Sequence, residues 1–437
     1  MSNNQFLSPA QKFIKAESLS GILLFTATIL AFIFSNLPFH ELYDSIWQYK
    51  IGIESEHFVL VKPLILWIND GLMVIFFFLI GLEIKREILI GELNSLKKAS
   101  LPMFAAIGGM IVPLLLYLLI NQNPETTHGW GISMATDIAF TLAILKLIGK
   151  KVPLGLKIFL TAFAIIDDLG AVLVIALFYT QEIGWMLLLY AGILLTILYV
   201  LSYLKIHSKF LLLTFGCIIW LLFLKAGIHP TIAGVLIAFA VPISQKINEF
   251  KYAQNLTEII ERLVKSTNTN KLPVLTKNQI EEIDNLEDWT NKVQSPLQQL
   301  EHRLHSWVAI LIMPIFALAN AGVHFSMDMS IDLSLVTTIA ISLCVGKTIG
   351  IFLFSYLSIK MKMATLPENI NLKLILGVGI LSGVGFTMSL FIGGLAFYEN
   401  VVFLNSAKIG IISGSLLSGI IGYIVIKKEI KKQHPIK

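Results

Sequence analysis

The sequence places charged side chains inside long apolar segments, and two adjacent aspartates are the clearest case. Asp167 and Asp168 lie near the middle of the apolar run 154–179. An ionised side chain at the centre of a bilayer costs about 2.5–3.5 kcal/mol on insertion scales, so in a membrane protein such a residue indicates function. Asp70, Asp137 and Lys347 are also charged residues inside apolar runs.

Two neighbouring carboxylates suit the alternate binding of protons and a hard cation. Successive residues on an α-helix point about 100° apart, so one carboxylate can face water while the other faces a neighbouring helix. Carboxylates raise each other's proton affinity and a lysine lowers it, and Lys347 is the only cation at this depth in the sequence. Oxygen ligands suit ions such as Na⁺, and no Cys or His cluster suggests a transition metal.

Interrupted helices are expected to position these charges. Asp137 lies in a short apolar run, and Gly383 and Gly385 belong to a glycine-rich run whose segment 383–387 is predicted to be unwound. Each glycine lowers helix stability by about 1 kcal/mol. Interrupted helices leave positive N-terminal and negative C-terminal ends, which Asp137 and Lys347 are expected to offset. Close helix packing is the alternative explanation for the glycines.

The composition indicates a polytopic membrane protein. The 437 residues are 56% hydrophobic and 14% charged, whereas soluble domains are about 45–50% apolar and about 25% charged. This excludes a soluble enzyme, a disordered chain and a nucleic-acid binder, because the net charge of +5 is diluted in apolar sequence. The two cysteines, Cys217 and Cys344, exclude a disulfide framework.

Twelve apolar runs are long enough to cross a bilayer as helices, which needs about 20 residues. The predicted fold class is therefore an all-α polytopic membrane protein. The predicted spans are 19–37, 60–82, 99–120, 131–149, 154–179, 183–204, 209–225, 229–244, 307–324, 333–357, 373–398 and 404–426.

The distribution of lysine and arginine predicts that both termini are cytoplasmic, since cytoplasmic loops carry the excess of these residues. The expected outer loops carry Lys50, Lys62 and Lys225. The expected cytoplasmic segments carry Lys85, Arg86, Lys97, Lys98, Lys150, Lys151, Lys205, Lys209, Lys360, Lys362, Lys427, Lys428, Lys431 and Lys432.

Two connections between spans stand out. In the outer connection 38–59, β-forming residues around a glycine predict a short hairpin over 47–54. The hydrophilic segment 245–304 is predicted to be a cytoplasmic insertion with a solvated helix over 279–291, and a linker role is the simplest reading. We treat residues 1–437 as a single membrane domain in which 245–304 is not an independent unit.

Several motifs resemble the NhaA-type Na⁺/H⁺ antiporters of bacteria. The resemblance extends over about residues 15–430, apart from the insertion. The matching segments are 71–73, 81–87, 105–110, 135–140, 164–171, 227–231, 317–323 and 346–347.

The resemblance implies inverted repeats and two crossing discontinuous helices, spans 4 and 11. It also implies electrogenic, pH-regulated export of Na⁺ or Li⁺ in exchange for protons by alternating access, without a cofactor. The expected location is the bacterial inner membrane, in contact with lipid. A homodimer is implied, with the hairpin at 45–59 as a contact, and a simple cap on the outer loop is the alternative explanation for this hairpin.

The resemblance also assigns roles to individual residues. Asp168 resembles the principal ligand of the transported cation and the proton carrier. Asp167 resembles the neighbouring carboxylate that completes the cation site and exchanges partners with Lys347. Thr136 and Asp137 resemble the break of one crossing helix, with Lys347 and Gly385 near the other. Asp70 matches a structural or funnel-lining position.

A third set matches a cytoplasmic pH-sensing cluster and a histidine that affects the pH response. A charged helix end that orients the protein is an alternative explanation for Glu83, Arg86 and Glu87, and helix capping is an alternative explanation for His229. The set comprises Glu83, Arg86, Glu87, His229, Glu301 and His302.

Other functions remain as alternatives at this stage. Another secondary transporter of broken-helix architecture, for organic anions or another cation, is the second choice. Such a transporter needs fewer carboxylates in the middle of the membrane and more hydrogen-bond donors to bind an anion. An intramembrane aspartyl protease requires a Tyr-Asp pattern together with a Gly-x-Gly-Asp pattern, and this combination does not occur because the sequence has no Gly-x-Gly-Asp. A passive Na⁺ channel fits the composition and would conduct without regard to a pH gradient.

Overall fold

A computed structural model describes residues 9–56, 58–149, 151–180, 182–204, 206, 208–245, 247–266, 274–325, 330–367 and 370–433. Lys150 and Lys205, two of the expected cytoplasmic cations, lie outside the described residues. Within the described part the chain is helical apart from one two-stranded hairpin, so the all-α fold class is confirmed.

The helices of the first half follow the predicted spans in order. They are α1 (Pro9–Asn36), α2 (His40–Gln48), α3 (Leu64–Trp67), α4 (Met73–Ile90), α5 (Leu96–Ile120), α6 (Ile138–Ile148), α7 (Leu154–Phe178), α8 (Trp185–Tyr203), α9 (Lys209–Lys225) and α10 (Thr231–Ala240). A π-helical turn, Ile68–Leu72, joins α3 to α4, and 3₁₀ turns cover Glu92–Asn94 and Pro124–Met134.

The second half begins with the insertion and ends in a long helix. Its helices are α11 (Glu249–Ser266), α12 (Lys277–Val293), α13 (Pro296–Trp307), α14 (Met313–Asn320), α15 (Leu333–Ile341), α16 (Lys347–Lys360), α17 (Leu372–Leu381), α18 (Phe386–Ala396) and α19 (Val401–Gln433). π-helical turns join α13 to α14 at Val308–Ile312 and α15 to α16 at Ser342–Gly346.

Seven helical stretches of the described chain are long and apolar enough to cross a membrane, and bent helix pairs raise this number to ten. The remaining two predicted spans contain α9, of 17 residues, and α10, of 10 residues. The count of twelve spans and the inverted repeats therefore stay predictions.

The outer hairpin is present, but its predicted position is wrong. Strands β1 (Lys50–Ser55) and β2 (Phe58–Pro63) pair antiparallel, with Lys50 opposite Pro63. Trp47 and Gln48 belong instead to α2, and the first residues of the predicted second span form β2. Short apolar segments fit a strand as well as a helix, so their sequence does not separate the two.

Both interrupted helices predicted from the sequence are found. Pro124–Met134 and α6 meet at 47°, and α17 and α18 meet at 46°. The second break covers 382–385, so Phe386 and Thr387, which we expected to be unwound, lie in α18. The first half of the fourth span is a 3₁₀ helix that begins at Pro124, seven residues before the predicted start at 131.

The two aspartates lie on the most buried span. In α7, 61% of the apolar window is buried inside the protein, compared with 11% in α8. Because α8 has no neighbours over most of its surface, it lies at the periphery of the helix bundle. Asp167 and Asp168, which are 2% and 3% exposed, are thus surrounded by other parts of the protein.

The insertion is helical over most of its described length. Helices α11 and α12 pack against each other, and Arg262 Nε lies 2.8 Å from Glu282 Oε1 between them. Helix α12 begins with a reciprocal capping box formed by Thr276 and Gln279, which satisfies two backbone N–H groups. The predicted helix over 279–291 is therefore present and slightly longer.

Candidate functional site

The two helix breaks lie against each other. The backbone N–H of Asp137 donates to the carbonyl oxygen of Val384 at 2.8 Å, and the Thr136 hydroxyl donates to the carbonyl oxygen of Ser382 at 3.2 Å. A Cβ at Gly385 would lie 2.8 Å from the carbonyl oxygen of Ala135, so this approach requires glycine. The glycine therefore serves close packing between the breaks as well as the interruption itself.

Asp137 occupies the position between two helix N-termini. Its Oδ1 accepts the N–H of Phe140 in α6 at 3.0 Å, and its Oδ2 accepts the N–H of Thr387 in α18 at 3.1 Å. The Thr387 hydroxyl donates to the same Oδ2 at 2.5 Å. A carboxylate at this point stabilises the positive ends of both half-helices.

Asp167 and Lys347 form a buried ion pair. The Lys347 ammonium lies 2.8 Å from Oδ2 and 3.0 Å from Oδ1 of Asp167, and the two side chains are 0% and 2% exposed. Lys347 begins α16, directly after the π-helical turn Ser342–Gly346. A turn of this kind is often found at functional sites because it changes the direction of the side chains that follow.

Asp168 faces a cavity and not the lysine. The cavity has a volume of about 100 Å³, enough for several water molecules. Within the described part of the chain the Asp168 carboxylate accepts no hydrogen bond, so its oxygens are available to a substrate. The other polar side chains that line the same cavity are Ser20, Glu83, Arg86, Thr136, Asp137, Thr161, His305 and Thr387.

The donor set of this cavity suits a small hard cation. It offers carboxylate and hydroxyl oxygens, which are the ligands of choice for alkali ions, and no thiolate. The described residues contain no group of three or more His, Cys, Asp or Glu side chains arranged to hold a metal ion.

Charged residues from α4 and α13 meet at one end of the cavity, the end that the sequence predicts to be cytoplasmic. Arg86 Nε lies 3.0 Å from Glu301 Oε1, and Arg86 Nη1 lies 2.8 Å from Glu87 Oε1. Glu83 lies one turn before Glu87 on α4, and His305 Nδ1 is 3.8 Å from Glu83 Oε1. The structure thus brings Glu83, Arg86, Glu87 and Glu301 together.

Two of the residues expected in this cluster, His302 and His229, lie elsewhere. His302 is exposed and does not line the cavity, whereas His305, which sequence reasoning missed, does. His305 follows Glu301 by four residues, and this spacing places both on one face of α13. That spacing is the signal that identifies His305 instead of His302.

His229 belongs to a separate group with Asp70. His229 Nε2 lies 3.6 Å from Asp70 Oδ1, and its Nδ1 lies 2.7 Å from the Thr231 hydroxyl. Lys62 of β2 lies 2.7 Å from Asp70 Oδ2, and the Trp220 indole N–H donates to the Asp70 carbonyl at 2.9 Å. Asp70 thus ties the hairpin to the helices beneath it, and neither Asp70 nor His229 lines the cavity.

Comparison with known proteins agrees with this geometry. The sequence matches the family described as Na⁺/H⁺ antiporter 1 over residues 11–426. A protein of Wolinella succinogenes named Na(+)/H(+) antiporter NhaA is 44% identical over 424 residues, 96% of this chain and 94% of that protein.

Two further relatives carry the same name. The Parabacteroides distasonis protein is 41% identical over 443 residues, which cover 98% of each chain. The Oleidesulfovibrio alaskensis protein is 42% identical over 436 residues, 99% of this chain and 97% of that one. With a match of this extent, the chain belongs to the Na⁺/H⁺ antiporter 1 family.

Proposed function

We propose that this protein is an electrogenic Na⁺/H⁺ antiporter of the bacterial inner membrane that exports Na⁺ or Li⁺ by alternating access. The observation that carries the proposal is a buried aspartate, Asp168, whose carboxylate faces a cavity of about 100 Å³ beside the two helix breaks. The family consists of antiporters, which are secondary transporters and not enzymes. An aspartyl protease is therefore excluded.

Asp168 is proposed to bind Na⁺ and protons in turn. When the Asp168 carboxylate is deprotonated, its negative charge attracts a cation from the cytoplasmic cavity. When it is protonated, it no longer carries the charge that holds the cation. Protons arriving from outside then displace the cation, and the protonated carrier returns. Protons and Na⁺ thus compete for the same oxygens, so acidic cytoplasmic pH is expected to silence transport.

Asp167 and Lys347 are proposed to supply the second proton. The ammonium–carboxylate distance of 2.8 Å supports a pair that separates when Na⁺ approaches the doublet. If Asp167 turns towards the cation, Lys347 loses its counter-ion and releases a proton more readily. Together with the proton from Asp168, two protons are exchanged for one Na⁺ and one net charge moves inward.

The helix breaks are proposed to be the moving part. Asp137 holds the N-termini of α6 and α18 through three hydrogen bonds, which supports a charge-compensating role and not a role as the main cation ligand. The hinge lies at Thr136 and at the glycines of the other break. A displacement of either half-helix would therefore change the surroundings of the doublet on α7.

The charged group at the cytoplasmic end of the cavity is proposed to regulate transport by pH. Its support is that Glu83 and Arg86 line the same cavity as Asp168 and that Arg86 joins α4 to α13 through Glu301. Protonation of Glu301 would weaken this connection. We place His305 in this group, and His229 is proposed to act separately, through Asp70.

Reconstituted exchange tests the function directly. In proteoliposomes we expect Na⁺ and Li⁺, but not K⁺, to drive proton movement, with activity rising from acidic to alkaline pH. An inside-negative potential should accelerate Na⁺ efflux, because it contributes about 2.3 kcal/mol per 100 mV for each net charge moved. Na⁺ flux without opposing proton flux would indicate a channel, and exchange of an organic anion would indicate the other transporter class.

We further propose a homodimer held through the outer hairpin. Support comes from the exposed apolar side chains of β1 and β2, with Ile53 69% exposed and Val59 53% exposed, and from the unpaired edges of a two-stranded sheet. We expect light scattering to give the mass of two chains in mild detergent and of one chain for Ile53→Asp. Leu275→Asp, on an exposed cytoplasmic residue, is the control, and a dimeric Ile53→Asp protein would contradict this contact.

A further inference from the structure

Helix α1 contributes one hydroxyl group to the cavity, and no described residue of the proposed site forms a hydrogen bond with it. Ser20 is 1% exposed and lines the cavity that contains Asp168. Its Oγ finds no hydrogen-bond partner among the residues that the structure describes. Four other buried hydroxyl groups of the described residues, those of Thr338, Ser342, Ser355 and Ser415, also lack a partner, but none of them lines this cavity. Because most buried hydroxyl groups are hydrogen-bonded, an unpaired one that does line a polar cavity points to a ligand in that cavity.

Two other hydroxyl groups of α1 behave differently. The hydroxyls of Thr26 and Thr28 donate to the carbonyl oxygens of Ile22 and Leu24, each at 2.8 Å and each four residues earlier. This is the usual way in which a membrane helix satisfies such groups. The Ser20 hydroxyl forms no such bond, so its lone pairs and its proton are both available.

Close helix packing turns Ser20 towards the cavity. A Cβ on the next residue, Gly21, would lie 2.3 Å from the Cβ of Ala143, so α1 approaches α6 as closely as glycine allows. The first residues of α6, Ile138 and Ala139, line the same cavity as Ser20. The contact between the two helices thus fixes Ser20 beside the half-helix that begins at Asp137.

We propose that Ser20 Oγ is an additional ligand of the transported cation, a neutral oxygen that binds Na⁺ or Li⁺ while the ion occupies the cavity lined by Glu83 and Asp168. This inference rests on the proposed Na⁺/H⁺ exchange. A hydroxyl oxygen is a hard donor suited to alkali ions, and it replaces one water of hydration without adding charge. Ser20 keeps its proton throughout and takes no part in proton exchange.

The test compares two substitutions at this position in purified full-length protein. We expect Ser20→Ala to raise the KM for Na⁺ about five-fold, as for the loss of one neutral polar contact, with little change in the maximal rate. Ser20→Cys fills the same space but offers a soft sulfur that suits Na⁺ poorly, so it should raise KM by a similar factor. Thr28→Ala is the control, because its hydroxyl is satisfied within α1.

The outcomes separate this inference from the proposed function. If the unmodified protein exchanges Na⁺ for protons and Ser20→Ala has an unchanged KM, Ser20 is not a ligand and the exchange proposal stands. If Ser20→Cys restores the KM, the serine serves packing only. A protein that exchanges no Na⁺ in any form contradicts the proposed function itself. Should Ser20→Ala fold poorly, the KM of Ser20→Cys decides alone.

Discussion

Asp168→Asn is expected to abolish Na⁺-induced proton movement in everted membrane vesicles. The amide has nearly the same shape as the carboxylate, but it carries no charge to bind Na⁺ and no exchangeable acidic proton. Both halves of the cycle use this group, so we expect a loss of activity of at least about 10²-fold, equivalent to about 2.7 kcal/mol. The measurement is the recovery of a pH gradient after addition of Na⁺ or Li⁺.

Folding of this variant is not expected to suffer. Burial of an ionised carboxylate is costly, and Asp168 has no ion-pair partner in direct contact, so the neutral amide removes a cost and leaves no charge unpaired. The melting temperature should therefore be equal to or higher than that of the unmodified protein. Asp284→Asn, the same change on an exposed residue of α12, should leave both flux and melting unchanged. Persistent Na⁺-dependent proton flux in Asp168→Asn would remove the carboxylate mechanism.

The order of the elements could be predicted from the sequence because apolar runs of about 20 residues have few alternatives to membrane helices. The ends of the elements could not. Leu60 and Val61 read as the start of a span, yet they lie in β2, because the same apolar side chains suit a strand. Pro63 precedes α3, and a proline before a helix is the local signal that places the boundary there.

The parts of the candidate site that could be predicted are those in which the residue types and their position in an apolar run already indicate function. A carboxylate doublet inside α7 and glycines inside span 11 are visible without tertiary structure. The partner of Asp137 was not predictable, since Thr387 lies 250 residues further along the chain. Ser20 was missed for a related reason: serines are common in membrane helices, and only packing against α6 distinguishes this one.

Helix geometry explains why His305, and not the predicted His302, lines the cavity together with Glu83 and Arg86. His302 follows Glu301 directly, so the two side chains point about 100° apart, and His302 reaches solvent. His305 lies about one turn further and shares the face of Glu301. Counting by helical turns, rather than by adjacency, therefore selects the histidine that lines the cavity.

Lys347→Ala is expected to destabilise the protein by about 3–5 kcal/mol, because it leaves the Asp167 carboxylate buried without its counter-ion. The effect should be seen as a lower melting temperature of the purified protein. Without the lysine, Asp167 also holds a proton more tightly. Since a protonated carboxylate does not coordinate Na⁺, the pH range of any remaining activity should move to more alkaline values.

The double variant Lys347→Ala with Asp167→Asn separates loss of the pair from loss of packing. It removes both charges, so no buried charge is left unpaired, and most of the lost stability should return. The stabilities of the unmodified protein, the two single variants and the double variant together give the interaction energy between Lys347 and Asp167. If the double variant is as unstable as Lys347→Ala, the lysine acts mainly through its apolar stem. If Lys347→Ala melts and titrates like the unmodified protein, the pair has no part in stability or proton exchange, and the second proton must come from another group.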